Sequence, residues 1–168
     1  MTIASTKTVI GTPVDAAIGS RIIEEGFGPG AWHGADLRAA IADVSAKDAL
    51  WRPAAGRHNI AEVAVHHAAC VRSAIGRITG SEEPAFPLAG EDWYEISNER
   101  PMKWSKIVDL VESQHSRLAD VVSEIGNGVR TSPLSDVERF ELLLGVTCHA
   151  VYHAGQIQLV KALASTPA

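Results

Sequence analysis

Every long segment of this chain repeats its apolar residues three and four positions apart, and none alternates in the way a strand does. That pattern restricts the fold to packed helices. Thr12-Pro13-Val14-Asp15 has the form of a helix start, with a capping threonine, proline at the first helical position and an acid in the first turn. Val14, Ala17, Ile18 and Ile22 continue it, and Gly26, Gly28, Pro29 and Gly30 are expected to stop it. A shorter amphipathic segment carries Leu37, Ala40, Ile41 and Val44, and a loop is expected from Trp51 to Gly56. Asn59 and Glu62 form a capping-box pair that opens a helix ending at Gly80. A third long helix is predicted from about Met102 to Ile125, and a fourth from the Ser135/Glu138 box to about Leu163. The fourth is apolar nearly all round, so burial on most sides is expected, with a share in a dimer interface. These elements predict an all-α fold, a helix bundle of four long helices with short accessory ones. Residues 81–101, with Pro84, Phe86, Pro87, Trp93 and Tyr94, form one long crossover connection, read as a strap over the bundle.

The 168 residues suit one domain, 1–168, with a flexible N-terminus at 1–11 and a tail at 165–168. Hydrophobic residues make up 46% and charged residues 21%, a globular rather than a disordered balance. A net charge of −5 and the absence of any basic run argue against nucleic acid or an anionic membrane as partner. No apolar run approaches ~18 residues, so no membrane span is expected. Met1–Thr12 lacks the basic patch and apolar stretch of a signal peptide. Two cysteines, Cys70 and Cys148, do not make a disulfide scaffold, and the expected location is the cytoplasm.

The chemistry lies in the histidines. His149 and His153 stand four apart on the fourth helix, one above the other, where two imidazoles can share one divalent ion. Two independent core histidines, bonded to backbone or water, account for the same spacing equally well. A third ligand would come from the second long helix, which offers His66 and His67. The stripe Ile60, Val63, Val71, Ile75 and Ile78 places His67 near its centre and His66 on its flank, which favours His67 as the inward residue. His115 has the character of a packed, hydrogen-bonded histidine, and His33 and His58 of surface or capping ones.

Trp51-Arg52-Pro53, Gly56-Arg57-His58-Asn59-Ile60, Glu62 and His66, taken with Leu144-Gly145-Val146, His149 and Tyr152-His153-Ala154-Gly155-Gln156-Ile157, resemble the DinB/YfiT-like superfamily. The resemblance spans most of the chain and is most specific in its C-terminal block. It implies a four-helix bundle of up-down-down-up topology, often a homodimer, with a divalent metal held by three histidines. Carried over, these are His66, His149 and His153, with His67 the alternative to His66.

Three imidazoles leave coordination positions open, the layout of a catalytic site. A metal there can turn a water into a nucleophile, giving a hydrolase, or hold a thiol as thiolate, giving a transferase or isomerase. The family implies the second route, with a low-molecular-weight thiol as cosubstrate and a small-molecule substrate, since relatives resemble mycothiol-dependent isomerases and bacillithiol transferases. Zinc, nickel and iron all suit such ligands. Glu62 is a candidate general base, although its capping role is the stronger reading. Gln156 is a candidate for binding a water or ligand. Cys70, one turn after His66, is within reach of the metal but reads as a small core residue, and Tyr152 and Gly155 read as helix packing. A non-catalytic metal- or ligand-binding bundle is the competing class.

Overall fold

The computed structural model describes residues 16–165, which form six helices and no strand. They are α1 (Ala16–Phe27), α2 (Leu37–Ala42), α3 (Ala46–Leu50), α4 (Ile60–Thr79), α5 (Trp104–Gly126) and α6 (Asp136–Ala164). Helix α3 falls where no element was expected. It is a single turn started by the Ser45 hydroxyl, which accepts from the Asp48 amide at 3.1 Å. The helix start at Thr12-Pro13, the segment 1–11 and most of the 165–168 tail lie outside the described residues.

Local chemistry fixes the long helices. Asn59 accepts from the Glu62 amide at 2.9 Å and Glu62 reaches back to the Asn59 amide, while Gly80 ends α4 in the left-handed conformation at φ 67°. Ser135 and Glu138 repeat the box at the start of α6. Gly26 does not stop α1 but lies inside it, buried against α6. A Cβ there would stand 3.0 Å from the Ala150 Cβ and 3.2 Å from the Thr147 backbone, so only glycine lets the two helices approach this closely.

Helix α1 packs on α5 and α6, and α4 packs on the same pair, with α2 laid against α6. The interior holds two apolar clusters. One gathers Phe27, Leu37, Ile60, Val65, Val111 and Ile157, and the other Ile23, Val71, Ile75, Leu118, Leu143 and Val146. Along α4 and α5 the chain meets the first cluster and then the second; along α1 and α6 the order is reversed. Set among these apolar residues are His66 and His67 from α4, His115 from α5, and His149 and His153 from α6.

Helix α6 departs from the expectation of burial on most sides. One face is buried through Leu143, Val146, Ala150, Ala154 and Ile157, but Leu144, Tyr152, Leu159 and Leu163 are exposed. A Cβ added at Gly155 would touch nothing, so that glycine does not serve helix packing within this chain. Tyr152, 62% exposed, is likewise not a packing residue.

Candidate metal centre

The HxxxH spacing on α6 stacks His149 and His153 as helical geometry requires, and their Nε2 atoms lie 2.9 Å apart. From α4, His66 brings its own Nε2 to 3.2 Å from His149 Nε2. Metal–nitrogen bonds near 2.0–2.1 Å place neighbouring ligand nitrogens roughly 2.9–3.4 Å apart, so these separations fit rings that share an ion. Cys70, one turn after His66, puts its sulfur 3.8 Å from His66 Nε2. His66, Cys70 and His149 offer ligand atoms that all lie within 4.8 Å of one another, a group able to hold a metal ion. Cys70 therefore stands at the site rather than serving only as core filler.

The second nitrogen of each ring is occupied. His66 Nδ1 donates to the Asp92 carbonyl at 2.7 Å and lies 3.3 Å from the Asp92 carboxylate. His153 Nδ1 donates to Gln156 Oε1 at 2.6 Å, and Gln156 Nε2 in turn donates to the Tyr152 hydroxyl at 2.9 Å. His149 Nδ1 faces His67 Nδ1 at 3.0 Å. Outer partners of this kind fix which nitrogen carries the hydrogen and where the bare one points. For His66 and His153 the bare atom is Nε2, directed at His149.

Electrostatics keep the two α6 rings free of extra protons. Burial, with His149 and His66 adding to it, lowers His153 to about 4 even though the Gln156 bond works the other way. Burial and His66 lower His149 as well. Neutral imidazole is the form that binds metal. The Cys70 thiol is pushed up to about 11 by burial and by the Asp92 carboxylate, so on its own it is a protonated thiol near neutrality.

His66 and His67 divide the roles that periodicity assigned to one of them. His67 is the more deeply buried, as the apolar stripe of α4 predicts, while His66 meets His149 of the HxxxH pair with its Nε2. Glu62 is committed elsewhere. It is buried, paired with Arg52, and accepts from His58 Nδ1 at 3.1 Å and the Ile96 amide at 3.1 Å. Burial alone would raise its carboxyl, but these bonds, Arg52 foremost, outweigh it and hold the group below the usual carboxylate range. Glu62 anchors the α4 start to the Trp51–Arg57 loop and the strap; it is not a base waiting for a substrate.

The strap closes over the site, as expected of residues 81–101. Tyr94 and Ile96 are buried in it, and Trp93 stacks on His58 at 3.7 Å and on His66 at 4.1 Å between ring centres. An aromatic residue in a long loop was the available signal for this contact. The Asp92 carbonyl acceptor carries no residue-type signal at all, because any residue supplies a carbonyl. On the other side of His149 a cavity of about 570 Å³ opens between α4 and α6, with Cys70, Arg77, Glu138, Glu141 and Gly145 in its walls. His33 and His58 stay outside the cluster; His33 Nε2 bonds the Glu25 carbonyl at 2.7 Å.

Comparison with curated proteins and with solved structures gives no match. A family model, that of the DinB superfamily, matches residues 31–157, from the loop before α2 to the Gly-Gln-Ile end of the histidine block. The matched region holds every residue of the cluster, and by that match the chain belongs to the DinB superfamily, a metal-binding family.

Proposed function

We propose that this protein is a metal-dependent enzyme whose ion is held by His66, His149 and His153. The observation that carries the reading is that His149 Nε2 stands 3.2 Å from His66 Nε2 and 2.9 Å from His153 Nε2, in rings whose Nδ1 atoms all have partners. A zinc, nickel or iron ion there supplies Lewis acidity to a substrate that reaches it through the cavity beside His149. Transfer or isomerisation with a low-molecular-weight thiol is the favoured chemistry. Hydrolysis assisted by Glu62 is disfavoured, because this carboxylate, the nearest in sequence to a ligand, is held by Arg52 and the cap. Gln156 acts in this reading by orienting His153.

The reading includes a four-helix bundle of α1, α4, α5 and α6 in up-down-down-up order. The opposite sequence of the two apolar clusters along α1 and α6, compared with α4 and α5, supports it. It also includes a homodimer. Leu144, Cys148, Tyr152, Gly155, Leu159 and Leu163 fall within about 100° of one another around α6, an exposed, mostly apolar seam at helical spacing. A cytoplasmic location accords with the free thiols of Cys70 and Cys148.

Elemental analysis of the purified protein tests the metal reading. One equivalent of divalent metal is expected in the wild type and none in His149→Ala. Full metal in His149→Ala would overturn the site. His66→Ala should also lose the ion, whereas His67→Ala should bind it with weakened affinity. Stimulation of turnover by added thiols, absent from the His149→Ala protein, is the corresponding test of the chemistry.

A further inference from the structure

The histidine cluster does not end at the three proposed ligands. Behind His149, His67 Nδ1 stands 3.0 Å from His149 Nδ1, and His67 Nε2 stands 2.8 Å from His115 Nε2. His67 and His115 are 0% and 4% exposed, and the far nitrogen of His115, Nδ1, is buried without a hydrogen-bond partner. Three imidazoles thus form a string from the α4–α6 site across the interior to α5. We propose that His67 and His115 are positioning residues of the metal site, and that the ion sets the direction in which the string's hydrogens point. The inference rests on the metal reading above.

Each contact in the string joins two ring nitrogens, so one must carry hydrogen and the other must not. With an ion on His149 Nε2, that nitrogen is bare and the neutral ring carries its hydrogen on Nδ1. His149 then donates to His67, His67 carries hydrogen on Nε2 and donates to His115, and His115 is left with hydrogen on Nδ1. Without the ion the order reverses. His66 and His153 both present bare Nε2 atoms, because their Nδ1 atoms donate to the Asp92 carbonyl and to Gln156 Oε1. Their contacts with His149 Nε2 therefore call for hydrogen on that atom. His149 Nδ1 then accepts from His67, and His67 Nε2 accepts from His115.

The hydrogens balance. On metal binding, His149 releases its Nε2 hydrogen to solvent, His67 passes its Nδ1 hydrogen to His149, and His115 passes its Nε2 hydrogen to His67. His115 takes one from solvent on Nδ1. All three rings are neutral before and after. Both inner rings are buried among apolar side chains, a setting that disfavours a charged imidazole. His115 also lines a cavity of about 260 Å³ on the α1 side, with Phe27 stacked on it at 3.8 Å between ring centres and Arg38 in the wall.

The arrangement makes His115 matter to an ion it never touches. Removing His115 takes away the acceptor that fixes the His67 ring, and with it the support that holds His149 Nδ1 toward His67. Outer partners of metal-bound histidines are typically worth about 10–100-fold in affinity.

Nitrogen-15 spectra of the full chain, recorded with chelator and then with one equivalent of zinc, test this. Expected in the zinc form are hydrogen on His149 Nδ1, His67 Nε2 and His115 Nδ1, and the reverse tautomers of His67 and His115 without zinc. His115→Leu should bind zinc about tenfold more weakly by chelator competition, and His115→Gln, which keeps an acceptor, should recover most of that loss. Zinc shifts at His66, His149 and His153 with unchanged tautomers at His67 and His115 would overturn the string and leave the metal site standing. No zinc shift at His149 would overturn both. Equal affinity in the wild type and a folded His115→Leu protein would also overturn the positioning role.

Discussion

Gln156 shows how one side chain on α6 serves the site from behind. Its Oε1 takes the His153 Nδ1 hydrogen at 2.6 Å, which aims the bare Nε2 at His149, while its amide nitrogen is tied to the Tyr152 hydroxyl. Gln156→Leu keeps the size of the side chain and removes the acceptor. Zinc affinity should fall by about 10–100-fold, as for other outer partners of metal-bound histidines. The helical circular dichroism signal should stay at its wild-type value. Unchanged affinity in a competition titration would mean that His153 is not oriented in this way. Burial lowers His153 to about 4 and lowers His149 as well, so an ion held there, as proposed, would meet neutral imidazoles near neutral pH.

The residue types at the site were legible in the sequence because helical geometry acts on spacing: i and i+4 share a face, and His149 and His153 meet. The stripe of α4 likewise predicted that His67 would be buried. What spacing does not carry is rotation between neighbouring helices. His115 sits on the stripe of α5 between Val111 and Leu118, and only the packing of α5 on α4 brings it against His67. The same holds for Asp92, whose contribution to His66 is a backbone carbonyl. Gly26 read as a stop because glycine often ends helices, but here tertiary contact with α6 outweighed that preference.

At the scale of elements, the start of α4 holds three segments together. Glu62 closes the capping box, pairs with Arg52 from the preceding loop, and accepts the Ile96 amide of the strap. Arg52 also donates to the Arg57 carbonyl at 2.7 Å, closing its own loop. Arg52→Ala would leave the buried Glu62 carboxylate without its cation; with Arg52 a third exposed and other donors kept on Glu62, the cost is about 1–2 kcal/mol, below that of a fully buried pair. A clear drop in the urea midpoint at pH 7 is expected, with metal removed so that only folding is read. The Glu62 carboxyl is held below its ordinary value of 4.5 in the fold. Its contribution is therefore present above that value and lost as pH falls through the depressed one, so the gap between wild type and variant should narrow in acid. A gap that stayed constant from pH 7 down to strongly acidic solution would assign the loss to packing instead.

At the scale of the molecule, the histidines sit within the apolar interior of the helices, and Trp93 of the strap covers His66. The exposed seam of α6 runs past the same histidines, since Tyr152 belongs to the seam and bonds Gln156. Dimerisation along α6 would thus bury a residue one step removed from His153. Leu159→Asp, placed in the seam two turns beyond Tyr152, should shift sedimentation from dimer to monomer with the fold retained. A dimer that persists in this variant would place the interface on another face.

In the proposed centre the third ligand beside His66 and His149 is His153 and not Cys70, whose sulfur lies 3.8 Å from His66 Nε2. Cobalt substitution separates the two, because thiolate ligation adds an intense charge-transfer absorption that imidazole ligation lacks. The account predicts a cobalt spectrum without that band, unchanged in Cys70→Ser and lost together with tight binding in His153→Ala. A thiolate band that disappears in Cys70→Ser while His153→Ala binds cobalt as the wild type does would contradict it.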